Sequence, residues 1–208
     1  MKKEIEIKVP NDWSAVTLRD YIKLSADLKN YEDEPEAIDA VLFHHLCKFD
    51  VTYLQQLDVD TFTQIKEKLH AFLQNTNYAL QREIEIDGIK YGFEPNLSQM
   101  SYGAYVDITK YDKLEINEKW AEVMSILYRP IIKRYGKLYD IVQYEGLIDG
   151  DLFMDVTMDI HFGCLFFFVN LLKDLWHSTQ KSLMKTSPEL LPPKLKSILQ
   201  KSGNHIHP

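Results

Sequence analysis

The stretch EPNLSQMSYGAYVDI, Glu94–Ile108, decides how the chain is organised, because its pattern occurs twice. Starting at Pro95, it aligns with PNDWSAVTLRDYIKL from Pro10, with one gap opposite Asp12. Pro, Asn, Ser and Tyr are identical between the two. Trp13/Leu97, Val16/Met100, Thr17/Ser101, Leu18/Tyr102, Ile22/Val106 and Leu24/Ile108 keep their physical character. Thr17 and Ser101 stand where a hydroxyl can accept a bond from the first free N–H groups of a helix. Thr17 followed by Asp20 has the spacing of a capping box, with Asp in place of the usual Glu. Apolar residues then recur at helical spacing: Leu18, Tyr21, Ile22, and Tyr102, Tyr105, Val106.

The surroundings of the two copies repeat as well. Ile5, Ile7 and Val9 alternate and predict a strand ahead of the first. Ile84 and Ile86, then Asp87-Gly88, then Ile89, Tyr91 and Phe93 predict a hairpin ahead of the second, since an Asp-Gly pair suits a two-residue type I′ turn. EAIDAVLFHHLCKF and DTFTQIKEKLHAFLQ predict helices after the first copy. NEKWAEVMSILYRPIIKRY and TMDIHFGCLFFFVNLLKDLW predict helices after the second. The expected architecture is a mainly helical α+β fold of two pseudo-repeated strand-helix-helix-helix units, about 1–76 and 80–178. They would pack around a small antiparallel sheet as one compact domain over residues 1–186. A tail with a short helix follows over 187–208, where Pro188, Pro192 and Pro193 interrupt the preceding helix and Leu195, Ile198 and Leu199 form an apolar stripe suited to docking on another chain.

Composition narrows the function classes. The 208 residues are 45% hydrophobic and 26% charged, the profile of a globular chain, and 12 Tyr with 10 Phe supply large side chains for a core. A formal net charge of −7 argues against general binding to nucleic acid or anionic membranes, both of which attract basic surfaces. The most apolar run, Ile160–Leu172, falls short of the roughly 20 residues that span a bilayer, and the N-terminus lacks the continuous apolar core of a signal peptide. Cys47 and Cys164 lie inside apolar helical patterns and read as buried free thiols in a reducing compartment.

No catalytic, metal or cofactor motif stands out. His44 and His45 are adjacent on a helix, so they point about 100° apart and cannot share a metal. The carboxylates of YEDEPEAID, Tyr31–Asp39, fit a helix start with Pro35 early in it, and lack the central Gly of a calcium loop. A hydrolase built on Asp159 and His161 would place its two groups on different helix faces. The expectation is therefore no catalytic residue, no metal and no cofactor. More promising is LYRPIIKRYGKLYDIVQYEG, Leu127–Gly146. Pro130 is expected to kink or end a helix near Arg129, Arg129 and Lys133 to share a helix face, Gly136 to cap that helix, and Leu138–Tyr144 to form a short edge strand. Arg129, Lys133, Arg134 and Lys137 gather positive charge in an acidic chain, either as helix-end complement or as a docking patch for an acidic partner. Phe166, Phe167 and Phe168 put aromatics on three sides of one helix, enclosed by neighbouring helices or by another subunit.

The segments Gly88–Tyr111 (GIKYGFEPNLSQMSYGAYVDITKY), Met124–Ile131 (MSILYRPI) and Tyr135–Gly146 (YGKLYDIVQYEG) resemble a group of tailed-bacteriophage proteins, crAss-like phages of Bacteroidetes among them. The helix start of that group is echoed by Pro10–Leu18 and its aromatic-rich closing helix by Asp159–Trp176, so the resemblance covers most of residues 4 to 177. It implies a late-gene product found in the virion or in the host cytoplasm during assembly, and it carries no catalytic role over to any residue. The partners expected are other phage structural or assembly proteins, or further copies of this chain, with no membrane and no nucleic acid. A virion subunit, a tail-assembly chaperone and a host-directed inhibitor all fit these residues.

Overall fold

The computed structural model describes residues 7–75, 78–111 and 115–186, and divides between Phe166 and Phe167 into two units. The first described element of the first unit is a short 3-10 turn at Trp13–Ala15. Three helices follow, α1 (Leu18–Asn30), α2 (Pro35–Cys47) and α3 (Val59–Gln74). Thr17 Oγ1 accepts from Asp20 N at 3.2 Å, and Asp58 Oδ1 accepts from Thr61 N at 2.8 Å, so side chains close the starts of α1 and α3. The capping box of α1 is half made, because the Asp20 carboxylate takes Lys48 Nζ at 2.7 Å instead. Pro35 opens α2, and Lys48 ends it in the left-handed conformation at φ 52°.

The hairpin of β1 (Glu83–Ile86) and β2 (Ile89–Phe93) forms as expected, with positive φ at both Asp87 and Gly88. Beyond it come α4 (Tyr102–Thr109), α5 (Glu118–Leu127), β3 (Tyr128–Tyr135), β4 (Leu138–Ile141), the single turn α6 (Asp151–Met154) and α7 (Met158–Thr186). The sheet is antiparallel in the order β1-β2-β3-β4. Its inner face carries Ile84, Tyr91 and Phe93 with Tyr128 and Pro130. Tyr91 meets Phe153 of α6 edge-on at 6.1 Å, and Phe93 meets Tyr128 at 5.3 Å. Trp120, Met124, Ile126, Leu127 and Met158 complete a closely buried core.

Three expectations are corrected. The helix predicted to run through Pro130 stops at Leu127, and the chain continues directly as β3. Arg129 precedes a proline, which disfavours helical ψ, and Ile131-Ile132 are β-branched. The Pro130 carbonyl accepts from Val142 N at 2.9 Å, so its nitrogen also faces β4 and β2 loses no ladder bond. Gly136 is accordingly not a helix cap. With φ 64° it opens the two-residue turn between Tyr135 and Leu138, the pattern of a type II′ hairpin. The sheet also takes no strand from the first half: residues 7–10 belong to none of its strands, and Ile5 lies outside the described residues. The second half reads hairpin, helix, helix, hairpin, helix, helix, so it does not reproduce the first, and the pseudo-repeat is not confirmed.

What does repeat is local. Asp12 caps Ser14 N at 2.9 Å ahead of Thr17, and Asn96 caps Ser98 N at 3.1 Å ahead of Ser101. Asp12 therefore matches Asn96, which moves the gap to Asn11. The two helices then diverge, since Leu18 is fully buried whereas its counterpart Tyr102 is exposed.

The segment Tyr78–Arg82 ties the helices to the sheet. Tyr78 Oη accepts from Trp13 N at 3.2 Å, Gln81 Nε2 donates to Asp159 at 2.8 Å, and the Gln81 carbonyl accepts from Tyr128 Oη at 2.6 Å. Tyr139 Oη, on β4, lies 2.8 Å from the carbonyls of both Arg82 and Phe93. To get there the Tyr139 ring crosses Gly92, where a Cβ would overlap it, so the β3-β4 hairpin curls over the outer face of β1 and β2. The start of α7 is joined to α1 by an isolated antiparallel bridge between Thr17 and Thr157, with Leu18 N on Val156 O at 3.0 Å and Met158 N on Val16 O at 2.8 Å.

Candidate interaction surface

The four cations singled out in the sequence are separated by the strand geometry of β3. Side chains alternate between faces, and a bulge between Ile131 and Lys133 shifts the register once. Arg129 lies on the outer face of the sheet beside Gly92 and is 11% exposed, ion-paired with Glu94, which is 8% exposed. Glu94 Oε1 also accepts from Asn96 N at 3.3 Å. The guanidinium carbon sits 6.0 Å from the centre of the Tyr144 ring, and Arg129 Nε is buried without a hydrogen-bond partner. The Tyr144 hydroxyl donates to Asp107 at 2.5 Å, and burial together with that carboxylate pushes its pKa up to about 12. This cluster borders a cleft of about 170 Å³ lined by Tyr128, Pro130, Leu147 and Phe153, below the usual ligand-pocket range of about 300–1,000 Å³. Arg129 is thus a structural ion-pair member and leaves the docking patch.

Arg134 points toward β1 and pairs with Glu83 through both terminal guanidinium nitrogens. The opposite face of the hairpin presents Lys133, Tyr135, Leu138 and Asp140, with Tyr135 directly across from Leu138 and Lys133 across from Asp140. Leu138 is 73% exposed, Ile132 66% and Tyr135 50%. Lys133 Nζ lies 4.8 Å from the centre of the Tyr135 ring, a cation–π contact, and Lys137 stands exposed in the turn. Large exposed apolar side chains beside lysines on one hairpin give a surface suited to contact with a protein, with aromatic area for affinity and charge for orientation. Exposed Ile132 is a member that was not among the residues singled out from the sequence.

The other predicted residues are distributed elsewhere. Phe166 stacks on Phe162 at 6.1 Å, and Phe162 meets Trp13 edge-on at 5.1 Å, so Phe166 extends the internal aromatic cluster of the first unit. In the second unit Phe167 and Phe168 meet edge to face at 5.4 Å. Leu195, Ile198 and Leu199 lie outside the described residues. Asp159 and His161 are not brought together: the Asp159 carboxylate accepts from Thr157 Oγ1 at 2.6 Å and from Gln81, while His161 is fully buried. His45 Nε2 is 2.7 Å from Asp27, and His44 Nδ1 is 3.3 Å from the Phe49 carbonyl, so the two imidazoles serve separate packing roles. Among the described residues no group of three or more His, Cys, Asp or Glu is placed to hold a metal ion, and no helix is long and apolar enough to cross a membrane. Both cysteines are free, and burial raises both thiols, that of Cys47 to about 11.

His161 carries a pH dependence. Its Nε2 lies 3.2 Å from the Phe153 carbonyl, an acceptor only, so the neutral ring is protonated there, and Nδ1 has no partner. Desolvation lowers its pKa from 6.5 to about 4. A folded pKa below the unfolded value stabilises above pH 6.5 and is lost as pH falls from 6.5 toward 4, where unfolding takes up a proton. The urea midpoint of the wild type should drop across that window, and His161→Leu, which has no titrating group, should drop less. Equal slopes for the two proteins would remove His161 as the cause.

No protein-family model, curated protein or solved structure matches this chain.

Proposed function

We propose that this protein is a non-enzymatic protein–protein interaction component of a tailed bacteriophage, a virion part or an assembly factor, and that the outward face of the β3-β4 hairpin is its contact surface. The observation that carries the reading is the joint exposure of Ile132, Tyr135 and Leu138 with Lys133 and Lys137 on one hairpin. Apolar residues that could have joined the core are held at the surface there, which is how interfaces with other proteins are built. The phage setting is supported by the resemblance of Gly88–Tyr111, Met124–Ile131 and Tyr135–Gly146. These three stretches supply β2, α4, β4 and parts of β3 and α5, so they come together around the hairpin.

The test is made in the phage that encodes the chain. Mass spectrometry of purified particles finding it at structural copy number identifies a virion component. Absence from particles, combined with deletion that stops particle formation, identifies an assembly factor. Absence from particles with normal particle yield after deletion overturns the proposal.

A further inference from the structure

We infer that the hairpin face docks on a second copy of this chain, at the acidic turn between α1 and α2, giving a head-to-tail contact. This inference rests on the interaction-surface reading above and names the occupant of that surface. Two observations converge. The turn and helix start around Tyr31–Glu36 are exposed throughout, and Glu32, Asp33, Glu34 and Glu36 form none of the ion pairs found among the described residues. Elsewhere the chain pairs its charges across elements: Arg19 with Asp155, Lys48 with Asp20, Lys66 with Asp39 and Arg134 with Glu83. On the hairpin, Asp140 offsets Lys133 across the ladder while Lys137 at the turn has no acidic neighbour opposite it.

The two surfaces match in kind as well as in sign. The turn offers Tyr31, 42% exposed, beside its carboxylates, and the hairpin offers Leu138 and Tyr135 beside its lysines. An aromatic and an aliphatic side chain can meet at the centre while the charges close the rim. Because the two surfaces differ, the contact is heterologous, and it continues into a ring or an open row rather than stopping at a twofold dimer.

Light scattering across protein concentration and salt tests this with charge reversal. The wild type should exceed the 24.4 kDa monomer at low salt and return toward it at about 0.5 M NaCl, where screening acts within a few ångströms. Lys133→Glu/Lys137→Glu should weaken self-association by at least about tenfold, and so should Glu32→Lys/Asp33→Lys, because each sets like charges face to face. Mixed one to one, the two variants should associate again, since every contact then pairs opposite charges. Circular dichroism confirms that both are folded, as all four positions are exposed and outside the helix interiors. A wild type that stays monomeric at low salt overturns the inference, as does a mixture that stays monomeric. Self-association that ignores both reversals overturns this contact too, while leaving the phage-component reading to its own particle test.

Discussion

Gly163→Ala is expected to destabilise the protein by about 3 kcal/mol, the upper part of the range for forcing a carbon into a packed interior. Replacing glycine by alanine inside a helix ordinarily gains up to about 1 kcal/mol, because alanine loses less backbone freedom. At Gly163 the sign reverses. An added Cβ would stand 2.5 Å from the Ala79 carbonyl oxygen, a distance that real side chains do not adopt, and a tight 3.0 Å from its carbon. The obstruction is backbone, so no rotamer change relieves it. The backbone there is pinned on both sides, by Tyr78 on Trp13 and by Gln81 on Asp159 and Tyr128. Either α7 moves off the segment or the segment leaves the sheet, and both lose hydrogen bonds already made. The urea midpoint should fall by roughly 1 M for a chain of this size. Gly103→Ala supplies the control, since its nearest neighbour would be Tyr144 Cδ1 at an ordinary 3.7 Å, and its midpoint should stay or rise slightly. A Gly163→Ala midpoint equal to that of the wild type would show that α7 and Ala79 are less closely packed than described.

Local chemistry made several helix starts and the Asp87-Gly88 turn readable and misled at β3. Thr17, Asp58 and Pro35 mark helix starts whatever the rest of the molecule does, and Asp87-Gly88 can satisfy its dihedrals in one kind of turn. Tyr128, Ile131, Ile132 and Tyr135 fall at i, i+3, i+4 and i+7, the signature of a helix, yet they form β3. There the open edge of β2 offers partners at Phe93, Gly92 and Tyr91, and pairing outweighs periodicity. That error also scattered the supposed basic patch, because a strand sends Arg134 to the side that meets Glu83 of β1 and Lys133 to the opposite one. The repeat of an Asp or Asn turn followed by a hydroxyl cap was real as a turn-and-cap motif, with Asp12 rather than Asn11 matching Asn96, but such a motif needs only a few residues and does not require its surroundings to repeat. The contacts at Gly92, Gly163 and Glu94 join residues far apart in the chain, and a pattern read along the sequence holds no signal for them.

Arg129→Met should cost about 3–5 kcal/mol, the usual penalty for leaving one member of a buried ion pair without its partner. Glu94 would keep only the Asn96 N–H at 3.3 Å while its carboxylate stayed out of water. Glu94→Leu should cost a comparable amount, since the guanidinium would lose its one carboxylate and its Nε has no bond to fall back on. The double variant Glu94→Leu/Arg129→Met should recover most of the loss. It removes both desolvated charges together, and apolar side chains of similar volume can fill the space between Gly92 and Tyr144. The Glu83–Arg134 pair makes the contrast, because both side chains are more than a third exposed and water screens them. Breaking that pair should cost no more than about 1 kcal/mol. Denaturation of the three core variants and of Arg134→Met, each at low and at 0.5 M salt, decides the matter. A strong positive coupling between Glu94 and Arg129 that salt does not diminish places the pair in the interior as a structural lock. Costs that simply add, or that salt removes, would instead put these two charges at the surface and return Arg129 to the docking patch with Lys133 and Lys137.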